Sequence, residues 1–341
     1  MNPADLNFYL LAIPIASCIV CALLIVVLRP LLLRYALARP NARSSHKTPT
    51  PQGGGAAVIA ATTIAVALSS VFCSTAIGTG ILLVFVATVA LAMVGAFDDL
   101  RSIPVLPRLI LQALAAGIVL ATLPTDIRIV PAVPIWSERA LLLIGGLWFI
   151  NLVNFMDGLD WMTLAETLPV TTALALFGLY GQLPAGPTIV ALALGGAMIG
   201  FAPFNRPVAR LFLGDVGSLP IGLLIAWCLL QLAAGGHLIA AVLLPLYYLA
   251  DATITLARRM ARGEAIWTAH RCHFYQRATE NGLSVMQIVA EVFVLNVCLA
   301  LLAACSIFLK SPYVEIMALT AGAGGVALVL VRFSRPRKSF S

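Results

Sequence analysis

Long apolar runs alternate with short polar breaks along almost the whole chain, and most of the acids and bases sit in the breaks or at the run ends. About 17 to 25 apolar residues suffice to cross the hydrocarbon core of a bilayer as a helix. Eleven windows reach that length, at 7–33, 55–73, 78–97, 104–123, 138–155, 163–181, 187–203, 217–234, 237–257, 286–309 and 313–332. They predict an all-α, polytopic integral membrane protein. The longest stretch between them, 258–285, is too short to bury a core of its own, so residues 1–341 read as a single domain.

Composition agrees. With 61% hydrophobic and 10% charged residues, the chain could not stay in solution as an ordinary domain of this length. Basic residues then set the orientation, because Lys and Arg in short loops are retained on the cytoplasmic side. With the N-terminus outside, 18 of the 21 basic residues fall on inner loops, inner helix ends and the C-terminal tail, leaving Arg128, Arg139 and Lys310 outside. An odd number of spans puts the C-terminus in the cytoplasm. The net charge of +7 therefore reflects topology and attraction to anionic membrane lipids, and no nucleic acid partner is implied. The first apolar run is too long for a cleavable signal and lacks a basic leader, so it is expected to remain as the first span. The seven cysteines are scattered and mostly within predicted spans, where packing is their usual role.

The aspartates test this topology independently. Six of eight lie at the inner surface: Asp98 and Asp99 end the third span, Asp157 and Asp160 follow the fifth, Asp215 precedes the eighth, and Asp251 lies near the inner end of the ninth. Ionisable groups at such positions are costly and mark functional sites. Carboxylates among basic loops suit a hard divalent cation and a polyphosphate, since magnesium takes oxygen ligands from one or two carboxylates plus substrate phosphates. Arg and Lys from the same loops would neutralise phosphate oxygens.

Individual segments sharpen the picture. Arg43-Ser44-Ser45-His46-Lys47 leads through Gly53-Gly54-Gly55 into the second span, where free amides at a helix start could meet a phosphate; a flexible turn that lets the helix pack closely explains the glycines equally well. Asn151, Asn154 and Asp157 recur every third residue and can face one cavity. Asp215 stands between Gly214 and Gly217, with Asn205 and Arg206 nearby. His270-Arg271-Cys272-His273 occupies the most basic loop, where phosphate contact or stacking on a base or sugar fits at least as well as a metal. Glu166 has capping-box spacing from Thr163, and Arg108 reads as a snorkelling surface charge.

In this order, the Arg43–Gly55 loop, Asp98-Asp99, Asn154-Phe-Met-Asp157-Gly-Leu-Asp160, Phe212-Leu-Gly-Asp215-Val-Gly-Ser218, Asp251 with Arg258-Arg259, and His270–His273 resemble the polyprenyl-phosphate N-acetylhexosamine-1-phosphate transferase family over nearly the whole chain. The resemblance implies a bacterial inner-membrane enzyme, its active site built from cytoplasmic loops and inner helix ends. It would transfer a sugar 1-phosphate from a UDP-N-acetylhexosamine to undecaprenyl phosphate, releasing UMP and starting a glycan such as O-antigen or capsule. The implied cofactor is magnesium, with manganese as a substitute, and a homodimer is compatible with the family. By resemblance Asp215 and Asp99 hold the metal, and Asp98, Asp99, Asn154, Asp157 and Asp160 form the catalytic cavity. Arg43, Ser44, Ser45, His46, Lys47, Gly53, Gly54, Asn205, Asp251, His270 and His273 are assigned to substrate. Two departures stand out: Trp161 where many relatives have glycine, and a histidine segment without the three consecutive histidines of the muramoyl-pentapeptide transferases. The second argues against the peptidoglycan substrate, which stays as the alternative. A cation-coupled transporter is the reading from another class, disfavoured because transport sites belong near the midplane.

Overall fold

The computed structural model describes residues 3–38, 49–72, 78–265 and 270–336. Helix dominates, as it must where lipid offers backbone groups no partner and each amide has to be satisfied within its own segment. Thirteen helices are formed among the described residues: α1 Pro3–Tyr35, α2 Gly55–Phe72, α3 Thr79–Leu100, α4 Val105–Ala121, α5 Ile135–Met156, α6 Met162–Leu179, α7 Ala185–Phe201, α8 Asp215–Ala234, α9 Leu238–Leu243, α10 Leu246–Ala261, α11 Phe274–Glu280, α12 Val285–Phe308 and α13 Pro312–Ser334. Two short antiparallel strands, β1 Leu37–Ala38 and β2 Thr50–Pro51, pair Leu37 with Pro51 and Ala38 with Thr50.

Among the described residues seven helices are long and apolar enough to cross a membrane: α1 from Leu10, α3, α5, α6, α8, α12 and α13. Three shorter apolar helices correspond to α2, α4 and α7. The molecule is thus an all-helical, multi-pass membrane protein. The window at 237–257 is not one helix, because Pro245 has no N–H to donate and α9 stops ahead of it. The new helix, α10, carries Asp251 and, in its last turn, Arg258 and Arg259.

Helix α8 is apolar around its circumference, and such a helix belongs in an interior. It is mostly buried, against α2, α3 and α5. Its first turn is gripped backbone to backbone. A Cβ on Gly55 would lie 2.2 Å from the Gly217 Cα, and one on Gly95 would lie 2.2 Å from the Asp215 carbonyl oxygen, so neither position admits a side chain. Small residues permit this approach between membrane helices.

Buried polar groups mark further helix contacts. Asn151 Nδ2 donates to Gln112 Oε1 at 2.7 Å, joining α5 to α4. Pro169 inside α6 cannot donate to the Ala165 carbonyl. Asn296 on α12 supplies the missing bond, with Nδ2 3.0 Å from Ala165 O and 2.7 Å from Glu166 Oε2. This corrects the capping-box reading of Glu166: it faces α12, while the Thr163 hydroxyl donates to Asp157.

Candidate active site

The C-terminal ends of α3 and α5 meet the N-terminal end of α8, which brings together three segments that are far apart in sequence. Asp215 opens α8. Asp99, in the last turn of α3, receives two amides from that end: Asp215 N–H on Oδ1 at 3.0 Å and Val216 N–H on Oδ2 at 3.1 Å. A carboxylate placed there satisfies orphan donors and offsets the positive end of the helix dipole. Gln52 clamps the same turn through Nε2, 2.8 Å from the Asp99 carbonyl oxygen.

Asp98 faces α4. Its Oδ1 accepts the Ile103 N–H at 2.6 Å and its Oδ2 accepts Arg108 Nη1 at 2.7 Å. The same arginine nitrogen stands 4.0 Å from Asp215 Oδ2. Arg108 is therefore a site residue and not the surface charge expected from sequence. The available signal was its place in the first turn of a helix that follows the Asp98-Asp99 pair by only a few residues. Asn154 donates both amide hydrogens, to Asp215 Oδ1 at 2.8 Å and to Ser218 Oγ at 2.9 Å, which fixes the orientation of the Asp215 carboxylate.

Asp157 caps α5 and accepts a hydrogen bond from Thr163 Oγ1. The surrounding protein desolvates it and pushes its carboxyl up to about 8, against the Thr163 bond and with help from the charges of Asp215, Asp99 and Asp160. Near neutrality this group keeps its proton unless positive charge arrives beside it.

The turn from Asp157 to Trp161 is held by the 202–211 segment. Asp160 Oδ2 accepts the Ala209 N–H at 2.9 Å. Asn205 Oδ1 accepts the Trp161 N–H at 2.8 Å, and its Nδ2 donates to Leu211 O at 2.9 Å. Trp161 has a left-handed backbone with φ of 62°. For a residue with a side chain such a conformation costs of order 1–3 kcal/mol.

Asp251 forms a second node. It is fully buried and surrounded by five groups: Tyr247 Oη at 3.1 Å, Thr255 Oγ1 at 3.3 Å, His273 Nδ1 at 3.2 Å, and the amides of Phe274 at 3.0 Å and Tyr275 at 3.2 Å. No substrate reaches it without dismantling these bonds; what it holds in place is His273 and the start of α11. His273 is also buried, between Phe155 and Tyr275, with the His270 ring 4.9 Å away. The Tyr275 hydroxyl donates to Phe155 O at 2.9 Å, tying this loop to α5 just ahead of Asp157.

The glycine loop differs from its expected form. Gly54 and Gly55 donate their amides to Phe212 O at 2.9 Å and Leu213 O at 2.8 Å, so these N–H groups are not open to a phosphate. Gly53, with φ of 104°, makes the turn that lets this pairing form. Arg43, Ser44, Ser45, His46 and Lys47 lie outside the described residues.

Whether these groups suit a divalent cation turns on their chemistry. Asp98, Asp99, Asp157 and Asp215 offer only oxygen, the preference of magnesium. Among the described residues no group of three His, Cys, Asp or Glu side chains is placed to hold a metal ion by itself. A cation that keeps its waters and borrows ligands from substrate phosphates does not require one. The donor set fits.

Residues 81–233 match the family model described as glycosyl transferase family 4. The chain is 28% identical over 307 residues to the decaprenyl-phosphate N-acetylglucosaminephosphotransferase of Mycobacterium tuberculosis, covering 80% of this chain and 76% of that protein. It is 23% identical over 303 residues to a probable undecaprenyl-phosphate N-acetylglucosaminyl 1-phosphate transferase of Bacillus subtilis, covering 83% and 82%. A phospho-N-acetylmuramoyl-pentapeptide-transferase of Leuconostoc mesenteroides is 32% identical over 198 residues, a shorter match covering 52% and 60%.

Proposed function

We propose that the chain, whose residues 81–233 match the glycosyl transferase family 4 model, transfers a sugar 1-phosphate, of the N-acetylhexosamine class, from a UDP-sugar to a polyprenyl phosphate such as undecaprenyl phosphate. The observation that carries this reading is the convergence of Asp98, Asp99, Asp157 and Asp215 with Arg108 at one end of the bundle. Unlike charges held this close suit a reaction between two phosphates better than passage of an ion through the midplane.

In the reaction, an oxygen of the acceptor phosphate attacks the sugar-bearing phosphorus of the donor. The bond from that phosphorus to the bridging oxygen breaks, and UMP leaves with the electron pair. The nucleophile is already an anion near neutral pH, so little base catalysis is called for and positioning does most of the work. Arg108, shared between Asp98 and Asp215, is the cation placed to steady phosphate oxygens. Asn154 and Ser218 aim Asp215. Asp215 is the residue we assign to a magnesium or manganese ion, which when bound would neutralise the diphosphate as UMP departs. Asp99 backs it by fixing the first turn of α8, and each of its oxygens keeps a second lone pair for the same ion. Asp157 and Asp160 line the far side. His270 and His273 belong to the donor side, reached by the loop that Asp251 anchors.

The acceptor's isoprenoid chain needs an apolar berth. A cavity of about 250 Å³ beside α8 offers one, lined by Val119, Phe149, Leu223, Leu230, Ala241 and Leu249. Phe149 precedes Asn154 by five residues, roughly 7–8 Å along the helix. We further assign eleven crossings, with α9 and α10 sharing one, an outer N-terminus, and the site on the cytoplasmic face of a bacterial inner membrane. The basis is the distribution of basic residues. Purified protein incubated with undecaprenyl phosphate, magnesium and a panel of UDP-sugars should release UMP and form a lipid-linked diphosphate sugar with at least one donor. No UMP from any donor sinks the reading.

A further inference from the structure

Trp161 is a costly residue in its position. Its left-handed backbone would be free of strain as glycine, and nothing in the α5–α6 turn itself needs an aromatic ring. What the ring reaches lies elsewhere: Nε1 donates to the Ala202 carbonyl oxygen at 2.7 Å. Ala202 is the C-cap of α7, and its carbonyl oxygen otherwise accepts only the long Asn205 N–H bond of 3.3 Å among the described backbone groups. The backbone N–H of Trp161 bonds Asn205, and neighbouring Asp160 accepts from Ala209. Three hydrogen bonds therefore join the Asp157–Trp161 turn to the 202–211 segment. From Leu211 that segment runs only four residues to Asp215.

We propose that Trp161 is a positioning residue: its indole braces the turn bearing Asp157 and Asp160 against the segment leading to Asp215, and so sets the separation between the two carboxylate groups. The inference rests on the proposed transfer reaction, in which both groups face the same pair of phosphates. Small displacements of reacting groups are expensive in rate, with about 1 Å worth as much as 100-fold.

Two substitutions separate the brace from the strain. Trp161→Phe keeps a ring and loses only the indole donor, whereas Trp161→Gly also removes the strain. For Trp161→Phe, kcat should fall by roughly tenfold with KM for donor and acceptor within about twofold, the pattern of a contact that serves the transition state alone. Trp161→Gly should fall at least as far, despite its relaxed backbone. Amide hydrogen exchange across 203–211 should quicken in both, a readout that needs no turnover. Unchanged exchange, unchanged kcat in Trp161→Phe, or a rise in KM at constant kcat each overturns the brace; the last would make Trp161 a substrate contact. If the wild-type protein releases no UMP from any donor, the transfer reading fails instead, and the exchange data still judge the brace.

Discussion

The molecule encloses aspartate in two regions, fully at Asp251 and partly where α3, α5 and α8 meet, and treats it in opposite ways. At Asp251 five groups surround one carboxylate, all supplied by α10, α11 and the residue that caps α11. Where α3, α5 and α8 meet, four carboxylates gather; among the described residues Arg108 pairs with two of them, Asp98 and Asp215, and Asp157 is driven up to about 8 by its surroundings. The first arrangement is finished and stabilises the fold. The second carries unbalanced negative charge, which a protein tolerates only where something else is to bind, and perturbed carboxylates accordingly gather at functional sites.

The sharpest way to break this comparison is to remove one aspartate from each region. Asp215→Ala should lower turnover by roughly a thousandfold, the scale of losing a central electrostatic contact, while the detergent-solubilised protein keeps its thermal midpoint in chelator. A variant with full turnover would end the catalytic reading of the α3–α5–α8 junction. Asp251→Ala should do the reverse to the fold. It strands several buried donors at once and should cost about 3 kcal/mol or more in denaturant unfolding. A midpoint unchanged from wild type would mean that the node is not structural.

A smaller effect tests the unbalanced charge directly. In chelator the folded protein keeps a proton on Asp157 to about pH 8, whereas a free aspartate releases it near 3.8. Folding therefore takes up a proton across that window. Asp157 thus contributes a stability loss that grows as pH rises from about 4 to about 8, with its full benefit present below it. Thermal midpoints in chelator should show this decline, and Asp157→Asn should flatten it. A decline that survives the substitution assigns it to other groups. The smallest change belongs to the donor side: His273→Ala should weaken UDP-sugar binding by about tenfold, one charge-assisted hydrogen bond's worth, with kcat less affected. Normal donor affinity would move the histidine loop out of the donor site.

Sequence reading found the helices, the family resemblance and the aspartates, because each depends on local composition or on a fixed spacing. It missed what depends on partners brought from afar. Arg108 looks like a loop charge until α4 folds beside α3. The triple glycine looks like a row of open amides, yet glycines that let a phosphate approach also let another backbone approach, and Phe212 and Leu213 arrive first. Asn296 makes sense only against the carbonyl that Pro169 leaves bare, 131 residues away in the case of Ala165. Pro245 belongs with these. Its break in the ninth window lies between residues that are apolar on both sides, and prolines inside α1, α6 and α8 interrupt nothing, so the proline alone does not announce it.

The contact of Gly55 with Gly217, and of Gly95 with the Asp215 carbonyl, also bears on how such an enzyme can be re-engineered. Backbone pressed on backbone leaves no side chain to exchange, so the ends of α2, α3 and α8 form a fixed datum, and any enlargement there displaces Asp215 along with its helix. The 203–211 and 270–276 segments are held instead to the α5–α6 turn, α5 and α10 through side-chain and single hydrogen bonds, so their residues outside those bonds are open to change. A change of sugar donor should be sought by grafting those two segments onto the unaltered helices, and libraries that vary the helix ends should yield mostly inactive protein.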